Sequence, residues 1–383
     1  MERNPNITIE ATLFPQRAQE EKVAVALPAG EAADLIELDK FELYPYYLNG
    51  YLEPAPAELE SFLNENFPDY SVNAVTAEDG KIFCTPWMSA LKVMFYNKGH
   101  YAEAGLSDTP ETISEQMEYA KKLVKRDAAG NIDRVGLDLR LSGGAAGTSQ
   151  KYWTQVMVPY GANVIDPVGD KWKVGYKNKA GYDGLQYYLD AVYTHRVESH
   201  EQKSDAEGFG LGVTSMFQRE SWVVGYMREN APDIDYGTFL MPKGPGGWGT
   251  VGNTMGLAVP SSSEVKKEAF DFMRFLLDDE MQLKMFEETG WQPFRVNLDY
   301  APLIEKYPHL ENFIKALNTP GHDVLDYENM PAISEIHNRF ADRLMPAFKK
   351  SELASDRAKL EAEVDYIAEE TTRILEEYDL LAD

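Results

Sequence analysis

The first fifty residues switch between two periodicities, and that switching limits the folds open to the chain. Ile7-Thr8-Ile9-Glu10-Ala11-Thr12 alternates apolar and polar residues, the period of a half-buried strand. A helix is predicted over about 16–27, stopped by Pro28 and Gly30. Ala33-Asp34-Leu35-Ile36-Glu37-Leu38 reads as a short buried strand ending in Asp39-Lys40, and 41–48 as a further helix. Strand, helix, strand, helix is the pattern of an α/β protein on a parallel, doubly wound sheet. At 383 residues the chain can bury a large core, and its length favours two domains or lobes over one.

Residues 79–106, DGKIFCTPWMSALKVMFYNKGHYAEAGL, hold a hairpin, a Pro86-Trp87 pair, a strand ending in Phe95-Tyr96-Asn97-Lys98 and a helix opening at His100-Tyr101. Further on, Thr109-Pro110-Glu111 is expected to cap a helix carrying Ile113, Met117, Ala120 and Val124 on one face. A turn at 127–131 leads into a strand at 135–139, and then a Gly-rich loop at 142–148. Helices are predicted around Tyr152-Trp153, over 182–193 and over 213–227. Gly244-Pro245-Gly246-Gly247 reads as a linker by composition. After it come a strand at 256–260, a helix with Val265, Ala269, Phe272 and Leu276 on one face, and a charged helix from Glu352 buried along Leu360, Val364 and Ile367.

Composition excludes several functions. A net charge of −26 repels phosphate backbones and anionic lipid, so nucleic-acid binding is not expected. The single cysteine, Cys84, allows no intramolecular disulfide and no thiolate metal cluster, and its apolar surroundings mark it as core. No run reaches the ~18 apolar residues of a membrane span, and no apolar segment of a secretory signal follows Met1.

Several motifs, taken in order, resemble the extracellular solute-binding proteins of the maltose-binding type. They are Asn4-Pro5-Asn6-Ile7, the 33–39 segment, the 79–106 run, Met216-Phe217 with Glu220-Ser221-Trp222-Val223-Val224-Gly225, Pro232 to Gly237, Gly256-Leu257-Ala258-Val259, and Gly290-Trp291-Gln292-Pro293-Phe294-Arg295. The resemblance implies a type II periplasmic-binding-protein fold with two discontinuous α/β lobes and a cleft between them. Crossovers are expected near Asn97, Met241 and Val296, giving lobe one as 1–96 plus 242–296 and lobe two as 97–241 plus 297–383. It also implies a sugar ligand, an ABC importer permease as partner, a monomer, no cofactor, no metal, and a periplasmic or extracellular place with a lipid tether as one option. Family members carry a strand and helix ahead of Asn4-Pro5-Asn6-Ile7; the sequence begins at that motif, so lobe one is expected to lack a strand.

Sugars present C–H faces and hydroxyls, so a receptor uses flat rings for the faces and planar polar groups for the hydroxyls. Trp87 reads either as a stacking platform or as core, and Trp222 matches the family's tryptophan that stacks on sugar. Of Tyr152 and Trp153, Trp153 is favoured for the cleft. Asp39 matches a family carboxylate at the carboxyl edge of the sheet, with helix N-capping as the rival role, and Lys40 beside it reads as a solvated charge. Gly252 and Asn253 belong to a small-residue loop, Trp248 and Trp291 to the rim, and Arg295 to a "Gly-x-x-Pro-x-Arg" pattern or to a salt bridge. His337 stands where some relatives place an aromatic.

Enzymatic motifs are missing: the loop at 142–148 lacks Gly-Lys-Ser/Thr, and neither His-Glu-x-x-His nor Gly-x-Ser-x-Gly occurs. With 63 acidic residues, a glycosidase pair cannot be argued from abundance. The rivals to sugar capture are a binding protein for a polyamine or peptide, whose cations suit an acidic aromatic cleft, and a carbohydrate-active hydrolase.

Overall fold

Strands β1 (Ile36–Asp39), β2 (Leu52–Glu53), β3 (Thr85–Ser89), β4 (Val93–Asn97), β5 (Met216–Arg219), β6 (Tyr236–Phe239), β7 (Gly249–Val251), β8 (Thr254–Pro260) and β9 (Asp323–Leu325) form two antiparallel sheets and one parallel pair. The computed structural model describes residues 6–139, 145–201, 203, 205–295 and 297–382. Asn4-Pro5, the glycines at 143–144 and the expected crossover at Val296 lie outside the described residues.

The first sheet is built on β8. It pairs with β1 through Asp39↔Met255, with β3 through Thr254↔Ser89, and with β2 at Val259↔Glu53, every ladder antiparallel. The strand–helix alternation therefore belongs to an antiparallel sheet and not to the parallel one expected, because β1 takes its neighbour from residues over two hundred positions away. Residues 7–12 join no ladder among the described residues, and Ile9, Leu13 and Phe14 stay exposed, so no opposing layer receives their apolar side. A bulge sits between Met255 and Gly256. A Cβ at Gly256 would lie 2.6 Å from Cys84 Sγ, so only glycine lets β8 close on the layer beneath. That layer holds Leu43, Phe83, Cys84, Leu257, Val259, Met273 and Phe294. Burial pushes the Cys84 thiol up, the state of an inert core cysteine.

The second sheet has β4 at its centre, with Tyr236↔Asn97 on one side and Phe95↔Phe217 on the other. Val135 and Asp138 add isolated parallel bridges to Thr214 and Phe217. The helix expected over 213–227 is thus a strand followed by a helix, Trp222–Asn230. Phe217 is buried against Phe95 and Phe209, and that packing sets an extended backbone. Around this sheet lie a phenylalanine-rich core and a larger one that includes Leu185, Phe340, Leu360, Val364 and Ile367.

Three local readings are corrected. Thr112, not Thr109, caps the Ile113–Leu123 helix, in a reciprocal box with Glu115. The Lys266–Leu276 helix buries Ala269 and Met273 with Leu277 beyond its end, while Val265 is exposed and Phe272 half-buried. Gly244 to Gly247 is a packed segment: a Cβ on Gly244 would sit 2.0 Å from Pro159 O, and one on Gly246 2.2 Å from Tyr160 O.

The chain passes from the first sheet to the second at 90–92 and returns at 252–253. Ala90 N donates to Asn253 O at 3.0 Å, and Lys92 N to Thr250 Oγ1 at 3.1 Å, so the two passages are stitched together. Ser89 N donates to Gln292 O at 2.8 Å and ties a third segment to them.

Candidate functional site

A cavity of about 350 Å³ opens beside these passages, between the ends of the two sheets. From the first sheet come Asp39 at the end of β1, Phe41 in the helix after it, and Asn253 and Met255 at the start of β8. From the second come Arg219 and Glu220 at the end of β5 and Trp222 at the start of its helix. Gly147, Gln150, Ala90, Trp291 and Tyr327 complete the wall.

Asp39 occupies the N-cap position of the Lys40–Leu48 helix, yet its carboxylate makes no capping bond there. It bonds Asn253 instead. Burial is the main force on this carboxyl, and Glu20 and Asp326 add to it. Asn253 and Lys92 oppose them, and the balance pushes Asp39 up to about 7. Glu42 behind it is raised to about 9, by burial and then by Asp39 and Glu20. Asn253 Oδ1 is buried without a hydrogen-bond partner. An unmet acceptor on a cavity wall is costly unless a ligand donor reaches it.

The opposite wall is a charged cluster. Glu220 Oε2 accepts from Arg219 Nη1 at 2.7 Å and from the Trp222 indole at 3.1 Å, while Lys92 Nζ lies 3.3 Å from Oε1. Burial alone would raise Glu220, but Arg219, Lys92 and Lys151 overcome it and hold the carboxylate well below its usual range. Arg219 also pairs with Asp205 and stands 4.9 Å from the centre of the Trp222 ring. The indole is thereby fixed by one hydrogen bond and one cation face. Trp291 is positioned by the next residue, since Gln292 N donates to Ser221 Oγ at 3.2 Å and its carbonyl accepts from Ser89.

Of the residues singled out from sequence, Asp39, Asn253, Trp222 and Trp291 meet at this cavity. Trp87 does not: its indole donates to Glu37 at 2.8 Å inside the first core. Trp153 stands one layer back, 5.6 Å from the Tyr327 ring, with its nitrogen on Asn163. Its helix, Ala145–Tyr152, runs into a π turn at Trp153–Met157. Trp248 donates to Met241 O at 2.7 Å and lies under Lys243, away from the cavity wall. Gly252 N donates to Leu325 O, joining the β7–β9 pair. Arg295 is buried, bonded to Asp279 and to Leu277 O at 3.3 Å, the structural one of its two readings. Lys40 is 1% exposed and donates to Tyr327 O and Asn329, so it is a buried strut and not a solvated charge. His337 is buried on Ser149 Oγ at 2.9 Å, and burial lowers it to about 3.

Arg219, Glu220, Gln150 and Tyr327 were missed. The first two directly precede Trp222, and that adjacency was the available signal. Tyr327 has none in the sequence around it. Its ring packs 4.5 Å from Phe41, a contact only the fold creates. No His, Cys, Asp and Glu group suited to a metal ion occurs among the described residues.

Comparison with known proteins fits this geometry. A binding protein of Brucella abortus (strain 2308) is 24% identical over 308 residues, 78% of this chain and 71% of the relative. The diacetylchitobiose binding protein DasA of Streptomyces coelicolor is 23% identical over 284 residues, 72% of this chain and 63% of the relative. The crystal structure of an ABC transporter solute-binding protein from Thermotoga lettingae, bound with alpha-D-tagatose, superposes with a TM-score of 0.79 at 20% identity, covering 98% of this chain and 93% of that one. The fold is therefore the two-lobed one of type II periplasmic binding proteins. The sequence model of the bacterial extracellular solute-binding proteins matches residues 1–283, and the chain belongs to that family.

Proposed function

We propose that the protein captures a sugar in the cavity between its lobes and delivers it to the permease of an ABC importer. The observation that carries this reading is the pairing, on one cavity, of two tryptophans with a carboxylate, an orphaned amide oxygen and an arginine. Rings of that kind cover C–H faces, and the polar groups take hydroxyls. The named ligands of two similar proteins, diacetylchitobiose and tagatose, support the same class.

On this reading the first lobe is the body around β1, β2, β3 and β8, and the second the body around β4, β5 and β6. The hinges are the passages at 90–92 and 252–253, in place of the Asn97 and Met241 positions expected from sequence. Ligand contacts both bodies only when they close, and that differential affinity drives closure. The closed monomer then docks on the permease, outside the cytoplasm, with a lipid tether as one mode of retention.

One observation favours a hydrolase as second reading: Asp39 and Glu220 share the cavity, and their environments push them in opposite directions, the pattern of a glycosidase pair. Against it, Glu220 is already engaged by Lys92, Arg219 and Trp222, which leaves it poorly placed to attack a sugar.

A thermal-shift screen against sugars, polyols, polyamines and short peptides tests the reading, because ligand binding to the folded state raises the melting point by mass action. A rise with sugars and no release of reducing ends supports capture. A rise only with polyamines or peptides, or turnover, overturns it.

A further inference from the structure

A second chamber of about 330 Å³ adjoins the first and shares two of its walls, Trp222 and Trp291. Its remaining lining is Gly225, Tyr226, Glu229, Asn230, Glu288 and Thr289. The Trp222–Asn230 helix supplies most of it, and the end of the Asp279–Thr289 helix the rest.

Gly225 is the informative residue. It lies inside a nine-residue helix, where glycine costs roughly 0.5–1 kcal/mol relative to alanine. Packing does not require it: a Cβ there would meet only Thr289 O, at 3.7 Å, an ordinary contact. Contrast Gly181, in another helix, whose Cβ would lie 2.0 Å from Tyr176 O. What a side chain at 225 would do is project into the chamber. The helix thus gives up propensity at the position that keeps this space open.

The walls fit a ring. Trp222, Tyr226 and Trp291 offer aromatic faces, and the Trp222 and Tyr226 rings stand edge to face at 6.0 Å. The charge is one-sided: Glu229 and Glu288 are the only charged side chains lining the chamber, whereas Arg219 serves the inner cavity. Each chamber sits at the low end of the ~300–1,000 Å³ range of small-molecule sites. A ligand passing from one to the other crosses the two shared tryptophans.

We propose that the outer chamber is a subsite for a second sugar ring, so that the ligand has at least two rings, and that it admits a neutral or amino-bearing ring and turns away an anionic one. This rests on the sugar reading above.

The test is calorimetric titration of the full chain with glucose, mannose, galactose and N-acetylglucosamine, with their disaccharides, and with disaccharides whose outer ring is oxidised at C6 to the uronic acid. Disaccharides are expected to bind roughly tenfold or more tightly than the matching monosaccharide, as aromatic anchors allow. The uronic acids should bind roughly fivefold more weakly than their neutral parents, the scale of one like-charge contact near water. Gly225→Leu should remove the disaccharide advantage and leave monosaccharide affinity and melting point unchanged, and Glu229→Gln with Glu288→Gln should remove the uronic-acid penalty. Equal affinity for one and two rings, or a disaccharide advantage that survives Gly225→Leu, overturns the subsite. Uronic acids bound as tightly as their parents overturn its charge selectivity. If no sugar of either length binds, the sugar reading falls and the subsite with it.

Discussion

Lys92 Nζ and Glu220 Oε1 stand 3.3 Å apart, both side chains buried, at the point where the chain passes between the two sheets. Lys92 also donates to Ala90 O at 2.9 Å and approaches Val251 O at 3.4 Å, so one ammonium gathers both passages. Glu220 in turn holds Arg219 and the Trp222 indole on the cavity wall. The hinge and the ligand wall are one polar network.

Removing one partner leaves the other charge buried. Lys92→Met is expected to cost about 3–5 kcal/mol of stability, read by urea unfolding, and to weaken sugar binding because Trp222 loses its anchor's partner. Adding Glu220→Gln should recover part of the stability. A single variant as stable as wild type would show that the pair carries no weight.

Two tryptophans should separate cleanly. Trp222→Ala is expected to weaken sugar binding by about 2 kcal/mol or more with little change in melting point, since the ring is only partly buried. Trp87→Ala should cost about 3–5 kcal/mol of stability and leave the cavity wall intact. Calorimetry and thermal melts on both variants decide it, and a loss of affinity from a well-folded Trp87→Ala would reverse the assignment.

The acidic pair beside the cavity sets a pH dependence. Asp39 and Glu42 are raised, chiefly by burial, to about 7 and about 9. Above an unfolded value near ~4, the native state therefore holds more protons than the unfolded one. Stability is fully present below that value and falls as pH rises through 7 and 9. Melting points between pH 5 and 9 should decline accordingly, with a shallower slope in Asp39→Asn. Sugar affinity should run the other way, rising with pH through 7, because hydroxyls that donate to Asp39 favour its ionised form. A flat affinity profile would remove Asp39 from the ligand's contacts.

Local patterns made much of the fold legible, and the limits are instructive. The helix at Gln16–Ala29, the strand before Asp39, the strand through Phe95 and the buried edge of the last helix all follow from periodicity and stop signals. The direction of strand pairing does not, because β8 lies far from β1 in sequence and its register depends on a bulge at Gly256. The same limit explains the tryptophans. Trp87 and Trp222 both stand where a strand meets a turn, and only the sheet register decides which side chain points to the core and which to solvent. Arg295 looked as suited to the cleft as Asn253, yet it closes an ion pair with Asp279. Tyr327 reaches the cavity through a contact with Phe41 that no local pattern encodes.

The central claim is that a sugar sits between Trp222 and Trp291 on one side and Asp39 and Asn253 on the other. Calorimetric titration with the best sugar from the screen, on wild type and on the Trp222→Ala, Trp291→Ala double variant, tests it most directly. One saturable site per chain in the wild type, lost from a folded double variant, is the predicted result. Undiminished affinity in that variant would contradict it.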